Sequence, residues 1–317
     1  MTSSLLFDTS SARDVDVESA AGELRKNTLL WVDLARDEEE EIRRAAAALE
    51  ITEMSSERIF SEVARAGIES SRSQLHLTVL APAREHDLIQ IDCIVGNLWL
   101  LTVHPGSVEA LKDFRDRVTG RGELGQLDAP TFLADLLEWV LGAYVDAFER
   151  IEDDLEETEI AAIRATDDEI GGWVERFVSL RREAGRLRRA LASHRQVFVA
   201  LAHPEFDPVS TDRSAERFAG LVDTLGGVLD TATATRESML GSFELLVARA
   251  GQRTNETMKV LTLVSVLVLP ATALAGILGM NFKVGLFDHP SYFWIAVGAM
   301  VVVASVTLAV ARLRSWI

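Results

Sequence analysis

A row of polar and small side chains runs through a segment near the end of the chain that otherwise consists of large apolar residues. Steps of three and four residues place the row on one helical face. We call it the polar row, although Met258 and Leu269 are apolar exceptions, and its members are Asn255, Met258, Thr262, Ser265, Leu269, Thr272, Gly276 and Gly279. Its amide and hydroxyl groups can hydrogen-bond water, and its small residues let a second helix approach closely. The row therefore indicates either the lining of a water-filled pathway or close packing of helices.

Two uncharged runs position this row. Residues 260–280 form a run of 21 residues without charge, which is long enough to span a bilayer, and residues 290–311 form a second run. About nine residues separate the two runs, which is too short for a domain. We therefore expect two membrane-spanning helices, at 260–281 and 291–311, joined by a short loop at 282–290.

The flanking charges predict the orientation of these helices. Basic residues before the first span and after the second outnumber those in the loop by five to one. They are Arg249, Arg253, Lys259, Arg312 and Arg314, against Lys283 in the loop. Both termini, including the basic tail 312–317, are expected in the cytosol, and the polar, acidic N-terminus does not resemble a signal peptide.

The first span is preceded by a long helical pattern without proline. It runs from about Ser214 to about Gly279, with Pro270 as its only interruption, and predicts a rod about 100 Å long. Leu221, Leu225 and Val228 give the rod an apolar face for bundling. We expect residues 206–259 to be a cytosolic stalk. Symmetric packing of such rods around an axis makes a central channel, which favours the pathway over simple helix packing.

The first 205 residues read as a charged soluble protein in two parts. Residues 1–125 are predicted to be a mixed α/β domain, with strands at 28–34, 74–80, 87–93 and 97–103 and helices at 36–50 and 108–118. The alternation in 74–80 is typical of a half-buried strand. The overall fold class is therefore α+β, with an N-terminal α/β/α cytosolic domain, a helical stalk and a two-helix membrane domain.

Residues 126–205 are predicted to be a helical hairpin with one apolar face, formed by Phe132, Leu136, Val140, Tyr144 and Phe148. Residues 149–169 hold ten acids and two arginines, whereas residues 176–195 hold seven arginines and one acid. We expect a turn at Gly171–Gly172, so that the two oppositely charged helices pair side by side.

Composition excludes several classes of function. A formal net charge of -17 argues against nucleic acid as a partner, because phosphates need a basic surface. The single cysteine, Cys93, lies in an apolar stretch and is expected to be buried, so neither a disulfide within the chain nor a cysteine metal site is expected. The six histidines are scattered, and we find no catalytic motif and no P-loop. We therefore expect neither an enzyme nor a resident cofactor.

The sequence resembles a known family at the first span. Asn255-Glu-Thr-Met258, Pro270-Ala-Thr272 and Gly276-Ile-Leu-Gly279-Met280-Asn281 are similar to the pore helix and the Gly-Met-Asn signature of CorA-type magnesium and cobalt transporters. Weaker similarity at Trp31–Leu34 and Asn97–His104 extends the resemblance over nearly the whole chain. The family implies a homopentamer in the cytoplasmic membrane that moves Mg²⁺, and also Co²⁺ and Ni²⁺, down the electrochemical gradient.

The resemblance also implies roles for individual residues of the first span. Gly279, Met280 and Asn281 would form an outer selectivity filter, and Thr272 and Asn255 would add polar rings that contact the metal ion. Met258, Leu261 and Leu269 would form a hydrophobic gate. The remaining residues of the pore lining would be Glu244, Thr262, Ser265 and Gly276.

The sequence departs from the family at three places. Leu278 stands where the family usually has tyrosine, and Lys283 follows the filter in a loop that lacks the usual acidic pattern. Two positions that sense cytosolic Mg²⁺ in well-known members fall on Gly220 and Thr224, so we expect weak or altered gating, with Asp223 as a nearby substitute. A zinc transporter of the ZntB type, with proton coupling, and a membrane scaffold without transport are the alternatives.

Overall fold

The structure is a computed structural model of the 317-residue chain. It describes residues 3–8, 12–25, 28–61, 63, 65–71, 73–83, 87–106, 108–119, 128–164, 170–203, 212–279 and 291–313. Two compact units are present, Met1–Ser242 and Phe243–Ile317.

The first unit is built on one mixed β-sheet. Its described strands are β1 (Ser3–Phe7), β2 (Ala12–Asp14), β3 (Leu29–Ala35), β4 (Gly67–Ser70), β5 (Leu75–Pro82), β6 (Leu88–Val95) and β7 (Trp99–His104). They lie in the order β2-β1-β3-β7-β6-β5-β4. The β3–β7 pair is parallel and the other pairs are antiparallel. The mixed sheet confirms the α+β class.

Helices cover both faces of this sheet. The helices are α1 (Val17–Ala21), α2 (Glu39–Ala48), α3 (Glu53–Arg58), α4 (Glu109–Thr119), α5 (Ala129–Arg164) and α6 (Ile170–Leu201). On one face, Ala20 of α1 and Ile42 of α2 pack with Val32 and Leu101 in one apolar core. On the other face, Phe114 of α4 and Phe132 of α5 pack against Trp31, with ring centroids 5.6 and 5.5 Å away.

The prediction that strand 74–80 is half-buried is wrong. Every residue of β5 is buried, because helices or loops cover both faces of the sheet at this position. Two polar side chains of β5, Thr78 and His76, contact a buried carboxylate of the neighbouring strand instead. Asp92 of β6 accepts hydrogen bonds from Thr78 Oγ1 (2.7 Å), Gln90 Nε2 (2.8 Å) and Arg36 Nη2 (2.9 Å). Because a buried carboxylate can satisfy polar side chains in this way, the alternation of polar and apolar residues along a strand does not show that one face of the strand is exposed. Cys93 is buried, as predicted.

The two weaker segments of family resemblance lie side by side in the sheet as β3 and β7. Trp31 Nε1 donates a hydrogen bond to Thr102 Oγ1 (3.1 Å), and Thr102 Oγ1 donates to Asp33 Oδ1 (2.5 Å). Arg115 of α4 completes the cluster with a 2.6 Å bond to Asp33 Oδ2. These residues therefore hold α4 to the sheet.

The helical hairpin forms, but its turn is not where the glycines predict. Gly171 and Gly172 lie inside α6, and residues 165–169, between the two helices, lie outside the described residues. A glycine in a helix costs only about 1 kcal/mol relative to alanine, so a glycine pair does not by itself end a helix. The apolar face Phe132, Leu136, Val140, Tyr144 and Phe148 is buried, as predicted.

Charge contributes less to the hairpin than its sequence suggests. Among the described residues, only Arg176 of the seven arginines forms an ion pair with an acid of α5, namely Asp154 (2.6 Å). The two helices pack mainly through buried apolar side chains, which on α6 include Leu180, Leu187 and Leu191. The other arginines are therefore left to face solvent.

β4 pairs with β5 only as far as Thr78, so it does not reach Leu80. Side chains of the hairpin hydrogen-bond the backbone N–H and carbonyl of Leu80 instead. Tyr144 donates its hydroxyl hydrogen to the Leu80 carbonyl oxygen (2.8 Å), and the Leu80 N–H donates to His194 Nε2 (3.1 Å). His194 Nδ1 lies 2.9 Å from the Ala190 carbonyl, so the imidazole is held neutral with its hydrogen on Nδ1. Burial lowers the pKa of His194 to about 4.

We expect His194 to make the unit acid-sensitive. As the pH falls below about 6.5, an unfolded histidine takes up a proton, whereas His194 stays neutral down to about pH 4. The free energy of unfolding therefore decreases by about 3 kcal/mol over this window and levels off below it. The measurement is thermal denaturation of the full chain between pH 7.5 and 4. His194→Gln keeps an acceptor that does not titrate and should have the smaller pH slope, with exposed His203→Gln as the control; equal slopes for the two variants would contradict the assignment.

Two long helices complete the fold, namely α7 (Asp212–Leu278) and α8 (Ser291–Leu313). α7 has 67 residues and contains Pro270 within its length. Both helices have an apolar stretch of sufficient length to cross a membrane, and none of either stretch is buried. The predicted continuity of the stalk with the first span is confirmed, as is a second apolar helix.

Candidate ion pathway

In the first unit, α7 has two chemically different sides. Its buried side recurs at three- and four-residue steps, at Leu221, Leu225, Val228, Ala232, Thr235 and Met239. Thr235 Oγ1 donates a 2.7 Å hydrogen bond to Glu152 of α5 on this side. Asp223, Asp230 and Glu237 are exposed and, at 100° per residue, lie on the opposite side. These three residues are called the acidic stripe below.

In the second unit, α7 also has two sides. Within the first span, its half-buried residues are Leu263, Leu267, Pro270, Ala271 and Leu274. Thr262, Ser265, Leu269, Thr272 and Gly276, which belong to the polar row, are all exposed and lie on the opposite side of the helix. Packing among the described residues of the second unit therefore does not use the polar row. Polar and small side chains of this kind are accommodated better by water or by another copy of the chain than by hydrocarbon.

The hydroxyl groups of the polar row are oriented by the helix itself. Each donates to the carbonyl oxygen four residues earlier: Thr262 to Met258 (2.7 Å), Ser265 to Leu261 (2.8 Å) and Thr272 to Val268 (2.9 Å). Because the hydroxyl hydrogen is used in this bond, the oxygen presents only lone pairs to its surroundings. Such oxygens accept hydrogen bonds from the water around a cation or contact the cation directly.

The residues of the predicted gate are exposed on the same side of α7 or beside it. The exposed fractions of Met258, Leu261 and Leu269 are 59%, 62% and 69%. Met258 and Leu269 belong to the polar row, and Leu261 flanks it. Large apolar side chains at intervals along a polar lining are what a constriction that excludes water requires.

The polar row ends at the C-terminus of α7. The Gly279 N–H donates to the Ala275 carbonyl (2.9 Å), which completes the last helical bond. The carbonyls of a final helical turn lack helical partners, and the end of the helix carries partial negative charge. The C-terminal end of α7 therefore attracts a cation electrostatically. Met280, Asn281 and Lys283 lie outside the described residues, and so does the predicted loop.

The remaining candidates lie on the exposed surface of α7. Glu244 and Asn255 are exposed in the second unit, and Asp223 is exposed in the first. Thr224 Oγ1 donates to the Gly220 carbonyl (3.0 Å), so this hydroxyl hydrogen is already used within the helix. Sequence inspection missed Asp230 and Glu237. The seven-residue spacing from Asp223 through these two to Glu244 is the signal that could have found them.

No site for a resident metal ion is assembled by the described part of a single chain. Among these residues, no group of three or more His, Cys, Asp or Glu side chains could hold a metal ion. The side-chain oxygen atoms of α7 are instead distributed along the length of the helix.

The fold and the polar row define a class of protein: a membrane protein with two candidate spans, of which the first is continuous with a soluble α+β unit. The family model described as CorA-like Mg²⁺ transporter protein matches residues 26–312. The chain therefore belongs to the CorA-like family of Mg²⁺ transporters, a family of transporters rather than enzymes.

Similar proteins agree with this assignment. The cobalt/magnesium transport protein CorA of Methanocaldococcus jannaschii is 24% identical over 300 residues, which cover 91% of this chain and 92% of the relative. The complete structure of the CorA magnesium transporter from the same organism superposes with a TM-score of 0.80 at 22% identity, covering 99% of this chain and 98% of that one. The ZntB cytoplasmic domain from Vibrio parahaemolyticus gives a TM-score of 0.54 at 12% identity, covering 77% of this chain and 99% of that domain. The two structural matches show a shared fold.

Proposed function

We propose that this chain forms a homopentameric channel that moves Mg²⁺, and also Co²⁺ and Ni²⁺, across the cytoplasmic membrane down the electrochemical gradient. The observation that carries the proposal is the polar row of α7, which is exposed and lies opposite the half-buried side of the same helix. The divalent ion is the cargo of this channel, and we propose no resident cofactor.

The polar row is the reason to propose an oligomer, because its oxygens need contact with water inside the membrane. Lipid cannot satisfy the oxygens of Thr262, Ser265 and Thr272, whereas copies of α7 around a common axis enclose water beside them. The large apolar side chains on the remaining surface, such as Val264 and Val268, can face lipid or a neighbouring helix. The number of five subunits rests on family membership.

The outer end of the pathway is assigned to Gly279, Met280 and Asn281. Mg²⁺ holds its water tightly and prefers octahedral oxygen geometry, so complete dehydration would be slow. Five Asn281 amide oxygens and the carbonyls at the end of α7 would hydrogen-bond the hydrated ion without stripping it. The Thr272 and Asn255 rings would provide the next such contacts. A neutral set of oxygens binds weakly enough to release the ion.

The acidic stripe and Glu244 are proposed to concentrate cations at the inner end. Asp223, Asp230 and Glu237 are exposed on α7 and have no ion pair among the residues that the structure describes. Repeated in several subunits, such carboxylates would produce a negative potential that attracts divalent cations. With both termini in the cytosol, inward movement of a divalent ion gains about 4.6 kcal/mol per 100 mV of membrane potential.

Uptake into liposomes tests the proposed function. The purified chain is reconstituted, and entry of Mg²⁺, Co²⁺, Ni²⁺ and Zn²⁺ is followed with an imposed membrane potential, with and without a pH gradient. We expect Mg²⁺ entry that increases with the potential and needs no pH gradient. Zn²⁺ entry that requires a pH gradient would favour the ZntB-like alternative, and entry of none of the four ions would favour a scaffold without transport.

Gating by internal Mg²⁺ is expected to be weak. Gly220 offers no side-chain oxygen, and Thr224 offers only a neutral hydroxyl, at the two positions that sense Mg²⁺ in well-known members of the family. Uptake should therefore proceed at the same rate with and without millimolar Mg²⁺ inside the liposomes. Strong inhibition that Asp223→Asn removes and Asp230→Asn does not remove would disprove weak gating and identify Asp223 as the sensing residue.

A further inference from the structure

Four arginines of the first unit line a cleft of about 810 Å³ beside α6. Arg186, Arg189 and Arg195 come from α6, and Arg65 comes from the segment before β4. All four are exposed, and Leu88 and Val199 add an apolar part to the wall. We call this feature the arginine cleft. Its volume falls in the range typical of small-molecule sites, about 300–1,000 Å³.

The arginine cleft is held together by hydrogen bonds. Ser193 Oγ accepts from the Ala66 N–H (3.0 Å) and donates to the Ala190 carbonyl (2.6 Å). The first of these bonds fixes the segment containing Arg65 against α6, and the second orients the Ser193 hydroxyl within α6. The guanidinium group of Arg65 and those of the three α6 arginines therefore line one shared space without a ligand.

The charge in this space is not compensated within the described chain. Arg36, Arg58, Arg115, Arg176 and Arg217 of the same unit each form an ion pair with a carboxylate. The four cleft arginines have no ion pair among the described residues, although the sequence has 49 acids and 32 basic residues. Arg186 and Arg189 are helix neighbours three residues apart, and like charges at this spacing destabilise a helix. A bound anion would remove this repulsion.

We propose that the arginine cleft binds a soluble polyphosphate anion of the nucleoside triphosphate class. A guanidinium group binds phosphate oxygens with two parallel hydrogen bonds. Several guanidinium groups around one space therefore suit a chain of phosphates better than a single carboxylate. Val199 is 40% exposed at the same cleft and offers apolar contact for the remainder of such a molecule. The site is separate from α7, and binding there does not depend on transport.

The test is calorimetric titration of the full chain in zwitterionic lipid nanodiscs, in buffer free of Mg²⁺, with adenosine triphosphate and with inorganic tripolyphosphate. We expect saturable binding of both probes at one site per chain. The double variant R186Q/R189Q should bind at least about tenfold more weakly, because two charge-assisted contacts are lost. The control R181Q/R188Q removes two exposed arginines of the same helix outside the cleft and should change affinity less than about twofold.

Three results would overturn the proposal. Absence of saturable binding by either probe rules out the site, and equal weakening in both double variants means that diffuse charge attracts the anion. Cleft-dependent binding to phosphatidic acid vesicles without binding of the soluble probes would assign the cleft to a lipid headgroup. Unchanged melting temperatures of both double variants show that the loss is not caused by unfolding.

Discussion

Replacement of Asn281 by alanine is expected to abolish divalent-cation uptake while leaving the assembled protein intact. Asn281 supplies the side-chain oxygen at the proposed filter, and a hydrogen bond to a charged partner is worth about 1.5–3 kcal/mol. Loss of one such contact from every subunit should lower uptake by well over tenfold, since about 1.4 kcal/mol already corresponds to a factor of ten. The measurement is Mg²⁺ entry into liposomes under a fixed membrane potential.

The matched control for this variant is Asn97→Ala. Asn97 is exposed in the turn between β6 and β7, so the same chemical change is made far from the second unit in sequence. Asn97→Ala should transport like the wild type. Asn281→Ala with wild-type uptake would refute the filter assignment, even if the chain remains a transporter.

The second large effect is expected at Leu269. This leucine is exposed on the polar row between Ser265 and Thr272, so several copies around an axis would form an apolar constriction between polar rings. A narrow apolar constriction blocks ions by excluding water, and an amide of similar size lets water remain. Leu269→Asn should therefore raise cation entry in liposomes, including entry without an imposed potential.

Leu269→Met is the control because it conserves volume and apolar character. It should keep the wild-type rate, and a fluorescence assay of Mg²⁺ or Co²⁺ entry compares the two variants directly. If Leu269→Asn has the wild-type rate in correctly assembled protein, Leu269 does not form the gate.

The features that sequence predicts well here are those set by local pattern. The polar row and the long helical pattern depend on residues three and four positions apart, the apolar runs depend on consecutive residues, and the structure has all of them within α7 and α8. The apolar face from Phe132 to Phe148 is equally local, and it is buried. Family resemblance adds the roles of Met280 and Asn281, which the described residues do not include.

The features that sequence predicts poorly depend on distant partners. β1 is a five-residue segment whose strand form comes from pairing with β3, for example Leu5 opposite Trp31. The burial of His76 and Thr78 depends on Asp92, which local alternation cannot reveal. Similarly, the arginines of α6 suggest pairing with α5, but apolar packing decides the contact and leaves most of them exposed.

Cysteine accessibility along α7 tests the central claim, that the polar row lines the cation pathway. The native thiol, Cys93, is buried, and it is removed by Cys93→Ser so that a single introduced cysteine is read out. Thr272→Cys lies on the polar row and Leu267→Cys on the half-buried side about one turn away. Each variant is treated with a cationic, water-soluble thiol reagent in the absence of Mg²⁺, and Mg²⁺ uptake is then measured. We predict that the reagent modifies Thr272→Cys and blocks Mg²⁺ uptake by this variant, whereas Mg²⁺ uptake by Leu267→Cys is unchanged. If Thr272→Cys does not react and Mg²⁺ uptake by Leu267→Cys is blocked, the polar row does not line the cation pathway.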